Sequence, residues 1–586
     1  RPSLQTTQFL LHDVLKVHES LSVLDRFSST DQALMDQILE EASKFVELQI
    51  SPLNEIGDRV GCTWSEGTVT TPPGFKEAYQ SFWQSGWASL TTQEEDGGQA
   101  LPSILEFILY EWLSAANHGW TMAPGLLHGA YECIRHHASQ ELKDLYLEKI
   151  GTGEWLATMC LTEPHAGSDL GLVSTKARPC ADGRYEITGT KIFISGGEHD
   201  LTENIVHLVL ARVSGAKEGS KGLSLFLVPK FYPDGQRSTV YCERIEEKMG
   251  IHASPTCVMR FEDSKAWLVG EENQGLKAMF IMMNAARLHV ALQGVGLLDS
   301  SLQKAHAYAQ ERRQMRAPKA PKAPINPSAH QDAKTSTERA DLIIEHPAVE
   351  RIILTQNALV QGMRILAYKT AVNLDLASYS ADPDLKQGAQ RWCTLITPIL
   401  KSACTESGFL GSSECLQVFG GHGYIKEWGI EQNVRDARIA MIYEGTNEIQ
   451  AIDLLLRKIA SDSGAQLNLM IDELVHQLPS THNSSRLALD LLERIRTLTH
   501  RLMQNKERSN FQHQLSLIAS DYLSLLFLAL LAWSWSQIEH ALTLRESTSG
   551  ADEFAQFMRK SSDTFKTFIL PKSESLISLI DRVGMD

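Results

Sequence analysis

The run Ile439-Ala440-Met441-Ile442-Tyr443-Glu444-Gly445-Thr446-Asn447-Glu448-Ile449-Gln450 sets a carboxylate in an apolar neighbourhood, beside a glycine and a hydroxyl. Apolar surroundings exclude water and raise a carboxyl pKa, which makes Glu444 a candidate general base. Gly445 would let a substrate or cofactor come close to the backbone. Taken alone, a glutamate in a helical segment is more often solvated than catalytic, so the assignment depends on the rest of the chain. Gly294-Val295-Gly296 is the nearest G-x-G, but it lies within a helical pattern rather than after a strand. That placement points to a close helix contact and away from nicotinamide binding. The 20 histidines include no H-E-x-x-H or comparable ligand spacing, and His136 and His137 point to different helix faces, so no metal is expected. Nine cysteines without a C-x-x-C read as buried thiols in a reducing compartment.

The elements that must position Glu444 form an α, β, α order. Helical periodicity with Ser/Thr/Asp starts and Gly ends marks 32–53, 74–86, 103–116 and 140–150. Short β-rich runs follow at 184–195, 204–213, 222–230 and 256–263, separated by turn signals at Asp182-Gly183, Ser214-Gly215 and Asp234-Gly235. Helix returns at 279–312, 346–377, 390–420 and 445–460. The expected fold is therefore α+β, with an N-terminal helical domain over 30–158 and a middle β domain over 159–270. A C-terminal helical bundle follows over 276–460, then an extra C-terminal helical region over 461–586. A Pro-rich insertion at 316–345 interrupts the bundle as an exposed, partly disordered loop.

At 586 residues, 43% apolar and 22% charged, the chain has the composition of a soluble globular protein. Its net charge of -16 opposes a nucleic-acid or anionic-membrane partner. The segment 4–21 is too interrupted by Asp, Lys and His for a secretory leader. The most apolar stretch, 523–535, falls short of the ~20 residues that a membrane span needs and reads as a buried helix. A cytoplasmic protein without stable membrane insertion is expected.

Four segments occur in an order that resembles the signatures of the acyl-CoA dehydrogenase family. They are Leu161-Thr162-Glu163-Pro164-His165-Ala166-Gly167-Ser168-Asp169, Lys191-Ile192-Phe193-Ile194-Ser195, Gln417-Val418-Phe419-Gly420-Gly421-His422-Gly423-Tyr424 and Tyr443-Glu444-Gly445-Thr446. The likeness covers residues 30–460, and the family's architecture has the same α, β, α order. Within the family the chain is most similar to the 3-methylthiopropanoyl-CoA dehydrogenase branch. That likeness rests on Thr7-Gln8-Phe9, His12-Asp13-Val14-Leu15, Ile194-Ser195-Gly196-Gly197-Glu198-His199-Asp200, Glu246-Glu247-Lys248-Met249-Gly250-Ile251 and the helical C-terminal region.

The resemblance implies FAD-dependent α,β-dehydrogenation of an acyl-CoA thioester to a trans-2-enoyl-CoA. Glu444 would take the α proton, and the β hydride would pass to flavin N5. The Glu444 backbone N–H and a ribityl hydroxyl of FAD would polarise the thioester carbonyl. Met159, Leu161, Thr162, Ser168, Phe193 and Ser195 would surround the isoalloxazine, with Thr162 near N5; many relatives carry Trp and Thr where this chain has Phe193 and Ser195. Arg312 would meet the FAD pyrophosphate, a role suited to a guanidinium, although Gln314 replaces the usual Thr nearby. Gln417 to Gly421 would reach the adenosine half from a partner subunit, while Thr446 and Glu448 serve the dinucleotide of their own.

Arg287 would orient substrate and base, Asn284 stands at a CoA contact where many relatives carry Asp, Ser168 would meet the pantetheine, and Gly445 would lie against substrate. An unpaired Arg287 on its apolar face would be costly, so a partner is expected. The implied partners are an acyl-CoA, an electron-transfer flavoprotein as acceptor and a second copy of the chain. The 461–586 bundle would cover the face where tetrameric relatives place another dimer. The substrate expected is 3-methylthiopropanoyl-CoA or a short or medium-chain acyl-CoA. The alternatives are an acyl-CoA oxidase using oxygen and a non-catalytic flavin-binding relative; Glu444, Arg287 and the lack of a basic C-terminal region argue against the latter.

Overall fold

A computed structural model describes residues 2–318, 340–480 and 483–584. In the N-terminal part, Asp31 caps α1 (Gln32–Phe45) by accepting from the Leu34 N–H, and the helix runs on through Leu53 with tighter and wider turns. α2 (Phe75–Gln84), α3 (Ser103–Ala116), α4 (Leu127–His137) and α5 (Gln140–Gly151) follow. α3 is buried on every face from Ile104 to Ser114, which places it inside a core rather than on a surface.

The β domain contains β1 (Leu156–Cys160), β2 (Lys176–Pro179), β3 (Tyr185–Ser195), β4 (Ile205–Val213), β5 (Leu223–Pro229), β6 (Val240–Ile245) and β7 (Thr256–Val269). The strands lie in the order β1-β4-β2-β3-β7-β5, β6 pairs with β7, and β4 also pairs with β5, so the sheet closes on itself. Three runs appear near their expected bounds, and the last extends six residues further, to Val269. β1, β2 and β6 were not expected. β2 is exposed at three of its four positions and ends in a proline, so it carries little apolar alternation to read.

The second helical part is built on α6 (Gly275–Glu311), α7 (Pro347–Tyr379) and α8 (Pro383–Val418), followed by α9 (Ile430–Arg438) and α10 (Asn447–Ile452). The Gly294-x-Gly296 pair is a helix contact, as expected. A Cβ on Gly294 would lie 2.3 Å from the Cys404 carbonyl of α8, and one on Gly296 would lie 2.4 Å from the Glu111 carbonyl of α3. One buried ionic cluster ties α7 to α3 and α6. The Arg364 guanidinium of α7 donates to Glu111 Oε1 of α3 at 2.7 Å and pairs with Asp299 Oδ2 of α6 at 2.9 Å. Tyr368 Oη donates to Glu111 Oε2 at 2.8 Å.

The extra C-terminal region comprises α11 (Ala465–His476), α12 (Asn483–Met503), α13 (Phe511–Ser549), α14 (Glu553–Thr564) and α15 (Lys572–Gly584). α13 and α6 are each long and apolar enough to cross a membrane by length and composition, and both are mostly buried inside the fold. Trp535 and Trp533 of α13 donate to the carbonyls of Ala358 in α7 and Leu474 in α11, at 3.0 and 3.1 Å. The first residues, expected to precede the domains, are helical as well. Phe9, Leu10 and Leu11 are buried, and the Phe9 ring meets Phe554 of α14 edge-on at 5.3 Å.

Most of the expected Pro-rich loop, residues 319–339, lies outside the described residues. Its flanks are structured, with Ala317 N–H donating to Asp341 Oδ2 at 2.9 Å and Ile343 N–H to the Arg312 carbonyl at 2.8 Å.

Replacing Arg364 by Leu would leave Glu111 and Asp299 buried without a counter-charge. A loss of about 3–5 kcal/mol is expected, read as a lowered urea midpoint. An unchanged midpoint would show that the cluster does not hold α3, α6 and α7 together.

Candidate active site

Glu444 sits outside the helices, and the helix expected from 445 begins two residues later, at Asn447. Glu444 lies in a turn between the single-turn segment Ile439–Met441 and α10, with φ +57°, and Gly445 follows at φ +83°. The left-handed conformation costs a residue with a Cβ about 1–2 kcal/mol, whereas glycine adopts it freely. Neighbouring donors offset that cost. Gln450 Nε2 donates to the Glu444 carbonyl at 3.0 Å and the Gly445 carbonyl at 3.2 Å. Lys401 Nζ of α8 donates to the Gly445 carbonyl at 2.7 Å and to Asn447 Oδ1 at 3.0 Å. Thr446 caps α10 by accepting from the Ile449 N–H.

The Glu444 side chain borders a cleft of about 510 Å³, open mouth included, between α6, β1, β3 and the segment after α3. Met159, Phe193 and Ser195 form one wall, and Met122, Leu126 and Val290 another. Burial pushes the Glu444 pKa up to about 7, and the nearby charges of Arg287 and Lys401 hold it from rising further. Arg287 is buried on α6 with one long ion pair, to Asp453 at 3.9 Å, and its Nε has no hydrogen-bond partner among the described residues. Asp453 is thus the partner expected for this arginine, at the long end of an ion pair. Among the described residues no acceptor is bonded to the Glu444 N–H.

The inner end of the cleft is polar. Tyr443 Oη donates to Gln293 Oε1, and among the described residues the Gln293 Nε2 donates only to the Met122 sulfur, at 3.8 Å. The His289 ring stacks on Tyr110 at 4.6 Å and is hydrogen-bonded through Nδ1 to the Gly125 carbonyl at 2.9 Å.

The wall carrying Phe193 is anchored from behind. Lys191 is fully buried, and its ammonium donates to Glu163 Oε1 at 2.8 Å and to the Leu161 carbonyl at 2.9 Å. Glu163 also accepts from the N–H and hydroxyl groups of Ser174 and Thr175. Although burial opposes ionisation, Lys191 and these donors hold the carboxyl down at about 2. The Thr162 carbonyl accepts from the Ile192 N–H at 2.9 Å. The pairing of β3 with β7 slips between Lys191 and Ile194, and Phe193 in that irregularity has φ +57° and is 61% exposed. A bulky residue in that conformation is a strained outlier, of the kind found at ligand sites.

Other expected site residues lie elsewhere. Ser168, Asn284 and Glu448 are exposed, and Asn284 does not line the cleft. Arg312 caps the far end of α6, about 37 Å from Arg287 at the helical rise of 1.5 Å per residue. Gln417 and Gly421 share that far end, where Tyr308 stacks on Phe419 at 4.4 Å and is hydrogen-bonded to His422 at 2.9 Å. A single chain therefore does not bring Arg312, Gln417 and Gly421 to Glu444. Gly420, at φ +58°, makes the turn that ends α8.

The N-terminal, middle and C-terminal domains of acyl-CoA dehydrogenases match residues 35–154, 158–264 and 325–459. The chain belongs to the acyl-CoA dehydrogenase family. It is accordingly an FAD-dependent oxidoreductase acting on CH–CH donors. It is 42% identical to a 3-methylmercaptopropionyl-CoA dehydrogenase of Ruegeria pomeroyi, over 78% of this chain and 77% of that protein. It is 35% identical to a broad-specificity linear acyl-CoA dehydrogenase of Mycobacterium tuberculosis, over 80% and 76% of the respective chains. A solved acyl-CoA dehydrogenase from Bacillus anthracis, complexed with FAD, shares the fold with a TM-score of 0.70 at 20% identity, covering 94% of this chain and 91% of that one.

The residues present suit the flavin. The exposed Phe193 ring offers an aromatic face beside Met159 and the Ser195 hydroxyl, on a wall that Lys191 and Glu163 fix. Replacing Glu163 by Gln would leave Lys191 buried without a counter-charge and loosen the 161–169 loop. A weakening of FAD binding of at least about tenfold is expected in a fluorescence titration, the effect of 1.4 kcal/mol. Unaltered FAD affinity would show that this ion pair does not support flavin binding at the wall carrying Phe193.

Proposed function

We propose that this acyl-CoA dehydrogenase oxidises a short acyl-CoA, 3-methylthiopropanoyl-CoA foremost, to the trans-2-enoyl-CoA, with Glu444 as acceptor of the α proton. The observation that carries this reading is a carboxyl group with its pKa near 7, fixed at the border of a half-closed cleft beside a backbone N–H that has no acceptor among the described residues. A base poised near neutral pH combines a populated carboxylate with useful basicity. The adjacent Glu444 N–H would donate to the thioester oxygen as negative charge develops there, where excluded water makes a fixed dipole effective. Arg287 supplies positive charge that keeps the carboxylate form accessible. When bound, FAD supplies the acceptor for the β hydride.

In this reading Met159, Leu161, Thr162, Ser168, Phe193, Ser195, Thr446 and Glu448 hold the flavin of their own subunit, and Arg312, Gln417 and Gly421 hold that of a partner. The distance along α6 between Arg287 and Arg312 supports a homodimer. An electron-transfer flavoprotein is the proposed acceptor of the electrons.

Two features support the short substrate. One is the 42% identity to the Ruegeria pomeroyi enzyme. The other is the inner end formed by Gln293, Tyr443 and His289. A long alkyl chain pressed against these groups would leave polar atoms unpaired, at a cost of about 1–3 kcal/mol. The amide of Gln293 already faces a thioether, that of Met122, so a second sulfur suits the same surroundings.

Glu444→Gln keeps the shape of the side chain and cannot accept the proton. It is expected to retain flavin absorbance and lose at least about 10²-fold in turnover with a dye acceptor. Flavin reduction by substrate at a near-native rate would move the base elsewhere. In the unmodified enzyme, the raised pKa means that Glu444 is protonated and idle below neutrality, so kcat/KM is expected to climb with pH through about 7. A profile flat from acid to neutral pH would contradict the assignment.

Across a panel of acyl-CoAs, kcat/KM is expected to be highest for 3-methylthiopropanoyl-CoA and its four- and five-carbon analogues. These should differ by only the 1–3 kcal/mol, roughly 10- to 200-fold, that one methylene-sized change allows. A steady rise toward twelve carbons, with the sulfur compound poor, would leave the dehydrogenase and remove this substrate.

A further inference from the structure

Lys401 lies in the middle of α8 among Ile396, Ile399, Leu400, Ala403 and Cys404, with its side chain fully buried. An ammonium removed from water costs several kcal/mol unless hydrogen bonds and charge offset the loss. Its hydrogen bonds go to a turn that the family's chemistry depends on: the Gly445 carbonyl at 2.7 Å and Asn447 Oδ1 at 3.0 Å. Asn447 is in turn fixed to α8 through its Nδ2, which donates to the Ser402 carbonyl at 3.1 Å. The Gly445 carbonyl belongs to the second of two successive left-handed residues, and Glu444 is the first. Without the Lys401 donor only the longer Gln450 contact, at 3.2 Å, holds that carbonyl, and the peptide could rotate and relieve the Glu444 backbone, carrying the carboxylate away from the cleft.

We propose that Lys401 is a positioning residue for the base: its ammonium holds the Gly445 carbonyl, and through it the strained turn, so that the Glu444 carboxylate stays aimed into the cleft. This inference rests on the reading of Glu444 as the base. Gln450 braces the same carbonyl, but as a neutral amide it contributes shape without charge. Lys401 contributes both. The charged groups near it are Glu444 and Glu448 from the turn and α10, Arg287 from α6, and, around Arg287, Asp453 and Lys458. Burial lowers the lysine pKa to about 7, and the two glutamates oppose that drop. In its charged form Lys401 favours the Glu444 carboxylate, so its removal raises the Glu444 pKa further.

The test uses the FAD-loaded enzyme with Lys401→Met and Lys401→Gln. Lys401→Met is expected to retain bound flavin and a similar KM. Its kcat should fall by about 10²-fold, the scale of a 1 Å misplacement of a reacting group, and the rising limb of its pH profile should move to higher pH. Lys401→Gln, which restores a second donor beside Gln450 to the Gly445 carbonyl without charge, is expected to recover part of kcat while the limb stays displaced. A lysine that only fills space would lower stability and flavin content while leaving the limb of the remaining holoenzyme in place. An unmoved limb with kcat per bound flavin unchanged, in either variant that folds, overturns the proposal. Glu444→Gln assayed alongside separates the two claims. If it is inactive and the Lys401 variants behave as the parent, only this inference fails; if it remains active, the base assignment fails and takes this inference with it.

Discussion

In the proposed reaction a carboxylate must be poorly hydrated but still ionisable to take a proton from carbon, and at Glu444 that compromise is set by one dry turn and two cations. Burial raises Glu444 toward neutrality, while Arg287 and Lys401 keep the carboxylate within reach. The cations come from different helices, α6 and α8, so the balance depends on how closely those helices approach. Gly294 and Gly408 decide that approach, because a Cβ on either would collide with backbone of the facing helix. The Arg364 cluster then locks α6 and α7 to α3, the helix that precedes the Met122 and Leu126 wall.

The cleft is bordered by two strained residues on unrelated elements. Phe193 and Glu444 both have φ +57°, one in a β irregularity and the other in a turn between helices. Each has a buried lysine nearby that donates to a main-chain carbonyl: Lys191 to Leu161 and Lys401 to Gly445. Strain of about 1–3 kcal/mol persists only where the surroundings over-determine the backbone. Buried ammonium groups do this well, since moving the carbonyl would also leave a charge unpaired.

Much of this was legible in the sequence. The ordered segments around Thr162, Phe193, Gln417 and Glu444 gave the family, and 3.6-residue and alternating apolar patterns gave the long helices and the longer strands. The glycine pair at 294 and 296 was readable as a helix contact because it lay inside a helical pattern. What escaped has a common cause. Lys191 and Lys401 look like solvated lysines in one dimension, and only burial turns them into structural cations. A signal was present for Lys401, as the only charge between Leu395 and Cys404 of α8. His289 and Gln293, one turn apart on α6, meet Met122 from the distant segment after α3, and no local spacing foretells that meeting. Gly445 and Thr446 were read as the start of a helix because the pattern runs on from them, and the left-handed pair Glu444-Gly445 became visible only with the backbone. The short strands β1, β2 and β6 are set by pairing partners rather than by their own alternation.

The central claim is that Glu444 removes the α proton as a carboxylate whose ionisation is tuned by burial. The most direct measurement is stopped-flow reduction of the enzyme-bound flavin by 3-methylthiopropanoyl-CoA and by its α,α-dideuterated form, across the neutral pH range. The account predicts a normal α-deuterium isotope effect on flavin reduction, with a reduction rate that rises as Glu444 loses its proton near pH 7. Flavin reduction that ignores both α deuteration and pH in that range would contradict it.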